Sequence, residues 1–496
     1  MKIFMILLLL VFTACGEVEN KKEVQPSTLK VALAYKPRSF DPHKHTDSAT
    51  LAVTKQIYNN LFSLGEKGEA IPELVESYEI KDDSSIILKL KRGVFFHNGK
   101  EMKAKDVKRS LERNLEIPVS RVLVEAIEKV EVLDDYTLKI VQSNSPSILI
   151  HNLAHSSTAI VKEIESNEQD INIVGTGAYK IKDWSLTERV ELEKFDKFYD
   201  EIPKMDIVVF QTIPETSNRF IALETKEIDI AYDISANDIK GIQKKPDLKV
   251  INEVSLGSDF ITINTKKITE KRVRQAIEYA INKKAIIDTV YEGYGVIPKS
   301  ILSPTVFGYD DEAVIREYNP EKAKELLKES GAENLKIGLW IYDEPSRQQM
   351  AQIIQANLKE VGIDVEINVL EVSSFLQYTG MGEHDMLIGL WYVSTGDADY
   401  GYYPLLHSSS AGPVGNRSFF TNDQVDLLLD KARKTTSTSE RRMNYKEVQS
   451  VISEEVPLFP IAYKNYIIGL QKNIKGFIFN PNGNHILYKT YIEKTK

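Results

Sequence analysis

Apolar positions along the chain switch between two periods, and the switches mark strands and helices. Leu29-Lys30-Val31-Ala32-Leu33 and Ile86-Ile87-Leu88-Lys89-Leu90 carry the alternation of half-buried strands. Asn98-Gly99 signals a turn just after Val94-Phe95-Phe96. Asp106 begins a helix that runs through Val107 and Leu111, and Asp134-Asp135 turns into a strand over 137–141. In the second half, Val273, Ala276, Ile277, Ala280 and Ile281 fall at i, i+3, i+4, i+7 and i+8, one buried helical stripe. Asn319 and Pro320 supply an N-cap and an N1 proline, Leu326 and Leu327 face inward, and Gly331 ends that helix. A strand over 335–342, a helix over 350–358 stopped near Gly362, and a strictly alternating strand over 363–369 predict a right-handed parallel βαβ unit. Two further helices follow, over 423–432 with Val425, Leu428 and Leu429 inward, and over 440–454, ended by Pro457. The pattern is that of an α/β protein.

The N-terminus departs from this pattern. After Lys2, residues 3–12 are uninterrupted and apolar. As a helix that run spans about 15 Å, half of the roughly 30 Å core of a bilayer. It reads as the h-region of a signal peptide over 1–14, and no later segment is apolar enough for long enough to span a membrane. Phe12-Thr13-Ala14-Cys15 resembles the bacterial lipobox, with Phe12 where Leu is usual. The resemblance implies that Cys15 is diacylated and becomes the new N-terminus. Residues 15–27 then form a charged, apolar-poor tether. The expected location is the face of a bacterial cell membrane outside the cytoplasm, periplasmic or extracellular, held there by lipid.

Composition narrows the chemistry. At about 150 residues per domain, 496 residues suggest roughly two to four domains, and an apolar fraction of 42% can fill large cores. The net charge of −9 argues against a nucleic-acid-binding surface. A single cysteine excludes an intrachain disulfide, a Cys-rich zinc site and a CxxC redox motif. Gly-x-Ser-x-Gly, His-Glu-x-x-His and a Walker A loop are missing; residues 93–100 have phosphate-loop spacing one residue too long, with Glu101 in place of Ser or Thr. Asp397-x-Asp399-x-Gly401 lacks the downstream glutamate of a calcium loop. His43-x-His45 and His151-x-x-x-His155 each place two imidazoles near one face. Without cysteine or carboxylate support, they read more simply as surface or partly buried histidines. Trp391, Tyr392, Tyr400, Tyr402 and Tyr403 crowd around Gly389, Gly396, Asp397 and Asp399. Rings and carboxylates together suit a pocket for a cationic group, or else a packed loop, and composition leaves both open.

Further motifs are collinear with one family. Ser39-Phe40-Asp41-Pro42-His43 resembles an S-x-D-P-H opening. Pro72-Glu73-Leu74-Val75-Glu76-Ser77-Tyr78, followed by Arg92-Gly93-Val94-Phe95-Phe96-His97-Asn98-Gly99, resembles P-x-L-A-E-S-Y…L-R-x-G-V-K-F-H-x-G. Gly175-Thr176-Gly177-Ala178-Tyr179 resembles G-T-G-P-Y, Val273-Arg274-Gln275-Ala276-Ile277 matches V-R-Q-A-I, and Asn319-Pro320-Glu321-Lys322-Ala323 matches N-P-E-K-A. Together these are similar to the family 5 extracellular solute-binding proteins, which serve ABC importers of peptides and nickel.

The resemblance implies a two-lobed, hinge-closing receptor of the periplasmic-binding-protein type (type II), with an extra subdomain in the first lobe. It places the core of lobe 1 at 28–45, 176–264 and 476–496, the extra subdomain at 46–175, and lobe 2 at 265–475. It also implies a monomer that captures a short peptide between the lobes and delivers it to the permease subunits of an importer with a cytoplasmic ATPase. No catalysis, cofactor, metal or nucleic acid is implied. Implied ligand contacts are Ser39, Phe40, Trp391, Ser394, Thr395 and Tyr400. Ser394 stands where peptide-binding members carry an acid for the ligand's ammonium, so Asp397 or Asp399 is expected to take that role. Ser394-Thr395-Gly396-Asp397-Ala398-Asp399 and Asn152-Leu153-Ala154-His155 resemble glutathione-binding members, the first stretch oligopeptide-binding members too, and glutathione or a similar short peptide is the sharper candidate. Arg347 and Arg417 are the candidates for the ligand carboxylate, which suits a bidentate guanidinium. A nickel or metallophore receptor is the alternative within the family, lowered by the absence of arginine from 154–161; a secreted hydrolase is opposed by the missing motifs.

Overall fold

A computed structural model describes residues 26–45, 47–163, 173–185, 189–332 and 334–494. The signal peptide, Cys15 and nearly all of the tether lie outside the described residues.

The frame is one ten-stranded mixed sheet. Its order is Tyr179–Ser185, Arg189–Lys194, Ile207–Thr212, Thr28–Leu33, Ile230–Ala231, Leu458–Gln471, Leu248–Ile263, Met386–Tyr392, Lys336–Tyr342 and Asp364–Leu370. Leu458–Gln471 and Leu248–Ile263 pair antiparallel and are much longer than their neighbours. One end of this pair carries the first half of the sheet, where Thr28–Leu33 lies parallel to Ile207–Thr212 and to Ile230–Ala231. The other end carries the second half, where Lys336–Tyr342 lies parallel to Asp364–Leu370 and to Met386–Tyr392. Each half has its own core. Val31, Leu192, Val208 and Ile468 belong to the first, and Ile261, Leu339, Ile354 and Ile388 to the second.

The strand–helix–strand unit expected from the alternating pattern is present. Its helix, Pro345–Glu360, begins five residues before the apolar stripe of Met350, Ala351, Ile354 and Leu358. Its first turn is polar and starts on a proline, which lacks only an amide hydrogen that the helix cannot use there. Asn319 caps Pro320–Ser330 by accepting from the Lys322 amide at 2.9 Å, and Gly331 closes it at a φ of 68°. A separate four-stranded antiparallel sheet, in the order Val75–Asp82, Ser85–Leu90, Thr137–Gln142, Ile127–Asp134, is covered by the helix Ala104–Glu116. That helix starts two residues earlier than its apolar pattern suggests. Asp106 sits in its first turn and accepts from the Lys103 amide at 2.9 Å. Leu88 and Leu138 of this small sheet share one continuous apolar cluster with Tyr402 and Tyr445 of the helices Ala398–Leu406 and Thr438–Glu455.

Candidate functional site

The strand directions locate a crevice. Leu248–Ile263 runs from the first half of the sheet to the second, and Met386–Tyr392 is antiparallel to it, so Tyr392 ends toward the first half. Lys336–Tyr342 shares that direction. Leu458–Gln471 runs the opposite way, and Ile230–Ala231 is antiparallel to it, so the first half's parallel strands end toward the second. The carboxyl ends of the two parallel sets therefore face each other. Such ends are where open α/β sheets hold ligands, because the connecting loops diverge there. Tyr35 and Asp233 follow strands of the first half; Glu344, Arg347 and Ser394 follow strands of the second.

At the crossing, the ladder between the two long strands breaks. Val254 faces Asn465 and Ser258 faces Tyr463, so three residues (255–257) oppose Lys464 alone. A bulge of this kind bends the strand and re-aims the side chain opposite it. The bulge is held by Ser255 Oγ donating to the Lys464 carbonyl at 2.6 Å and by the Leu256 amide donating to the Pro481 carbonyl at 3.0 Å. A Cβ on Gly257 would lie 2.5 Å from the Tyr392 ring, so only glycine lets that ring lie over the strand. Tyr392 in turn stacks on Tyr466, centroids 6.5 Å apart. Burial raises the pKa of the Tyr392 phenol, and the Lys464 charge opposes that rise. The Lys464 ammonium is held above its ordinary range, first by Tyr392, against burial, with Asp259, Asp233 and Glu344 adding to it.

Arg347 is anchored by the protein itself. It is 2% exposed and donates to the carboxylate of Asp259, to Tyr342 Oη at 3.1 Å and to the Gly389 carbonyl at 3.4 Å. Asp259 also accepts from the Tyr291 hydroxyl. Burial alone would lower the Arg347 pKa; the Asp259 charge overrides this, and Arg347 stays cationic.

The aromatic segment divides into two layers. Trp391, Ser394 and Tyr400 are half-buried, Trp391 and Tyr400 packing against the apolar cluster shared with the small sheet, and the Trp391 indole donates to the Tyr400 carbonyl at 2.8 Å. Behind them, Thr395, Asp397 and Asp399 are buried. Asp397 caps Ala398–Leu406 and receives both arms of Arg441, at 2.7 and 2.9 Å. Burial pushes its carboxyl pKa up, but Arg441, with His151, brings it below the usual value. Asp399 receives Arg433 at 2.7 and 2.9 Å. Both acids were expected to meet a ligand's ammonium; in the structure each is paired instead with one of the protein's own arginines.

Of the other expected contacts, Ser39 accepts from the Asp41 amide at 3.0 Å, and Phe40 packs edge-on against Trp184 at 4.3 Å in the core of the first half. Within the same motif, Arg113 pairs with Asp41 and donates to His43 Nδ1 at 2.7 Å. His43 Nε2 therefore carries the proton that it donates to the Ala159 carbonyl at 2.8 Å. Arg417 lies at the opposite end of the strand Met386–Tyr392 from the crevice. There its Nε donates to Thr379 Oγ1 at 3.0 Å and its carbonyl accepts from His384. His151 contacts the Thr395 carbonyl at 3.1 Å, while His155 is buried and accepts from the Ser157 amide. Among the described residues, no three His, Cys, Asp or Glu side chains are grouped to hold a metal ion.

Lys464, Asp233, Asp259 and Tyr466 were not picked out by sequence reasoning. The one local signal was Tyr463-Lys464-Asn465-Tyr466, a charge flanked by rings inside an otherwise apolar strand.

The family model described as bacterial extracellular solute-binding proteins, family 5 Middle, matches residues 69–413. The dipeptide-binding protein of Escherichia coli (strain K12) is 30% identical over 512 residues, covering 95% of this chain and 95% of that protein. Glutathione-binding protein GsiB of Salmonella choleraesuis (strain SC-B67) is 30% identical over 471 residues, covering 91% and 92%. Among solved structures, the ABC transporter-associated periplasmic binding protein DppA from Helicobacter pylori, in complex with peptide STSA, superposes with a TM-score of 0.80. It is 30% identical, with 94% of this chain and 98% of that one covered. Two half-sheets that share two strands and face one crevice define a two-lobed α/β binding protein of the periplasmic type. The chain belongs to the bacterial extracellular solute-binding proteins of family 5.

Proposed function

We propose that this protein captures short peptides in the crevice between its lobes and hands them to the permease of an ABC importer. It does so as a monomeric binding protein rather than an enzyme, anchored by lipid on Cys15. The observation that carries this reading is the facing of two sets of strand ends across a crossing of only two strands, broken by a bulge at 255–257. Closure about that crossing would bury a ligand and require its backbone groups to be met by the walls. The names of the relatives, dipeptide-binding and glutathione-binding, support a peptide ligand. Lobe 1 comprises 28–45, 176–264 and 476–496 with the subdomain 46–175, and lobe 2 comprises 265–475; the long strands cross between them. Because Arg441 and Arg433 hold Asp397 and Asp399, a general short peptide is favoured over a ligand whose ammonium needs either acid.

Thermal-shift measurements with di-, tri- and tetrapeptides, glutathione and Ni(II)–histidine test this directly. At one hundred times Kd a ligand stabilises by about 2.7 kcal/mol, which moves a melting curve. A shift with Ni(II)–histidine alone would sink the peptide reading. For the anchor, Cys15→Ala is expected to release the protein from the membrane fraction; continued membrane association would remove the lipid from the account.

A further inference from the structure

Resting on the peptide reading, we infer that Lys464 and Asp233 are the two charges that read a zwitterionic ligand, Lys464 taking its carboxylate and Asp233 its ammonium. The charged groups expected to do this are already engaged. Arg347 is paired with buried Asp259, and Asp397 and Asp399 are each gripped by an arginine. Lys464 and Asp233 are different. Both are exposed, and among the described residues neither side chain makes a salt bridge.

Their placement is built rather than incidental. Lys464 lies opposite the three-residue bulge at the point where the lobes cross, and both of its strand neighbours remain paired across the ladder. It has accessible surface, yet burial still acts on its charge. That combination describes a group at the bottom of a cleft rather than one on the outer surface. Asp233 follows the strand Ile230–Ala231 at that strand's carboxyl end, in the left-handed region with a φ of 54°. The backbone there is clamped, because Arg219 donates to the Asp233 carbonyl at 2.6 Å and the Ile234 amide donates to the Ile467 carbonyl at 3.0 Å. An aspartate tolerates this conformation better than most residues, and the strain fixes where its carboxylate emerges. Ile234, next to Asp233, meets the long strand at Ile467, three residues beyond Lys464, or about 10 Å along a strand. This is the scale of a two- or three-residue peptide measured between its termini. Tyr392 and Tyr466, stacked between the two charges, supply flat walls for the intervening backbone and side chains.

Calorimetry on the purified protein tests the pairing, using Ala-Ala and Ala-Ala-Ala with free termini, with an amidated C-terminus, and with an acetylated N-terminus. The wild type is expected to bind the free peptides at least about tenfold more tightly than either blocked form. Lys464→Met should remove the discrimination against the amide while keeping that against the acetyl group. Asp233→Asn should do the reverse. Lys464→Gln, read in the same way, guards against a folding defect in the Met variant, and unchanged melting of the unliganded variants confirms the fold. Retention of the wild-type ratio against the amide in both lysine variants would overturn the role of Lys464. Retention against the acetyl form in Asp233→Asn would overturn that of Asp233. Wild-type protein that binds no peptide, blocked or free, would overturn the peptide reading and the pairing together. Binding of free peptides with the discrimination intact in all variants would leave the peptide reading standing and remove the pairing alone.

Discussion

Asp397 shows how a side chain with the chemistry of a site can serve the fold. It is 1% exposed and shares two hydrogen bonds with Arg441, itself 2% exposed. Removing one partner of such a pair leaves a buried charge without its bidentate partner, so Arg441→Met should cost about 3–5 kcal/mol of stability. Asp397→Leu added to it should return much of that loss, because no charge is then stranded. Denaturant unfolding of the single and double variants checks this, and additive losses would refute it. From the sequence, Asp397 and Asp399 could only look free, since the arginine that neutralises Asp397 lies 44 positions away and nothing local announces it. Arg347 misleads in the same way, because its partner Asp259 is 88 positions away. The histidines carry a second prediction. Burial lowers His43, His97, His155 and His384 to about 4, and His485 to about 3. An unfolded histidine titrates near 6.5, so below that pH the unfolded chain binds more protons than the folded one. Stability is then fully present above about pH 6.5 and falls as the pH drops toward 4, by up to about 1.4 kcal/mol per pH unit for each histidine. Urea midpoints at pH 7, 6 and 5 should decline steadily; a flat series would contradict the burial of these rings.

Elements were legible where their cause is local. The helix Lys271–Ala280, the cap at Asn319 and the paired strands Lys336–Tyr342 and Asp364–Leu370 follow from period and capping chemistry within a few residues. The crossing strands were not legible as a pair. The bond from Ser255 to Lys464 joins positions 209 apart, and a bulge leaves no periodic trace in one strand alone. Its consequence is testable at the same scale. Gly257→Val would place a branched side chain where the Tyr392 ring now lies, with even the first carbon 2.5 Å from the ring. Tyr392 must then leave its stack with Tyr466. If the ring walls the crevice, peptide affinity should fall by at least about tenfold, the equivalent of 1.4 kcal/mol, with little loss of melting temperature. Unaltered affinity would move the ligand away from this wall.

At the scale of the whole molecule, segments flanking the small antiparallel sheet touch residues 395–436, and those contacts bear on closure. The Ser145 amide donates to the Arg433 carbonyl at 2.6 Å, Thr436 Oγ1 donates to Asp83 at 2.8 Å, and His151 meets the Thr395 carbonyl. Between them the chain backbones interlock. A Cβ on Gly68 would stand 2.0 Å from the Thr305 carbonyl oxygen, and one on Gly396 would stand 2.7 Å from the Gly68 carbonyl oxygen. Both glycines have positive φ, at 79° and 73°, so neither space nor backbone admits a side chain. In the proposed division Gly68 belongs to lobe 1 and Gly396 to lobe 2, and a hinge motion between lobes so divided would part this contact. Ligand binding and the interlock then favour the same closed arrangement, and anything that weakens one should weaken the other. Gly396→Ala is therefore expected to lower peptide affinity. In hydrogen exchange, peptide should slow the amides of 145–152 and 393–397 in the wild type, and slow them less in the variant. Exchange at these segments that ignores peptide in both proteins would show that the subdomain rides on the second lobe rather than latching it.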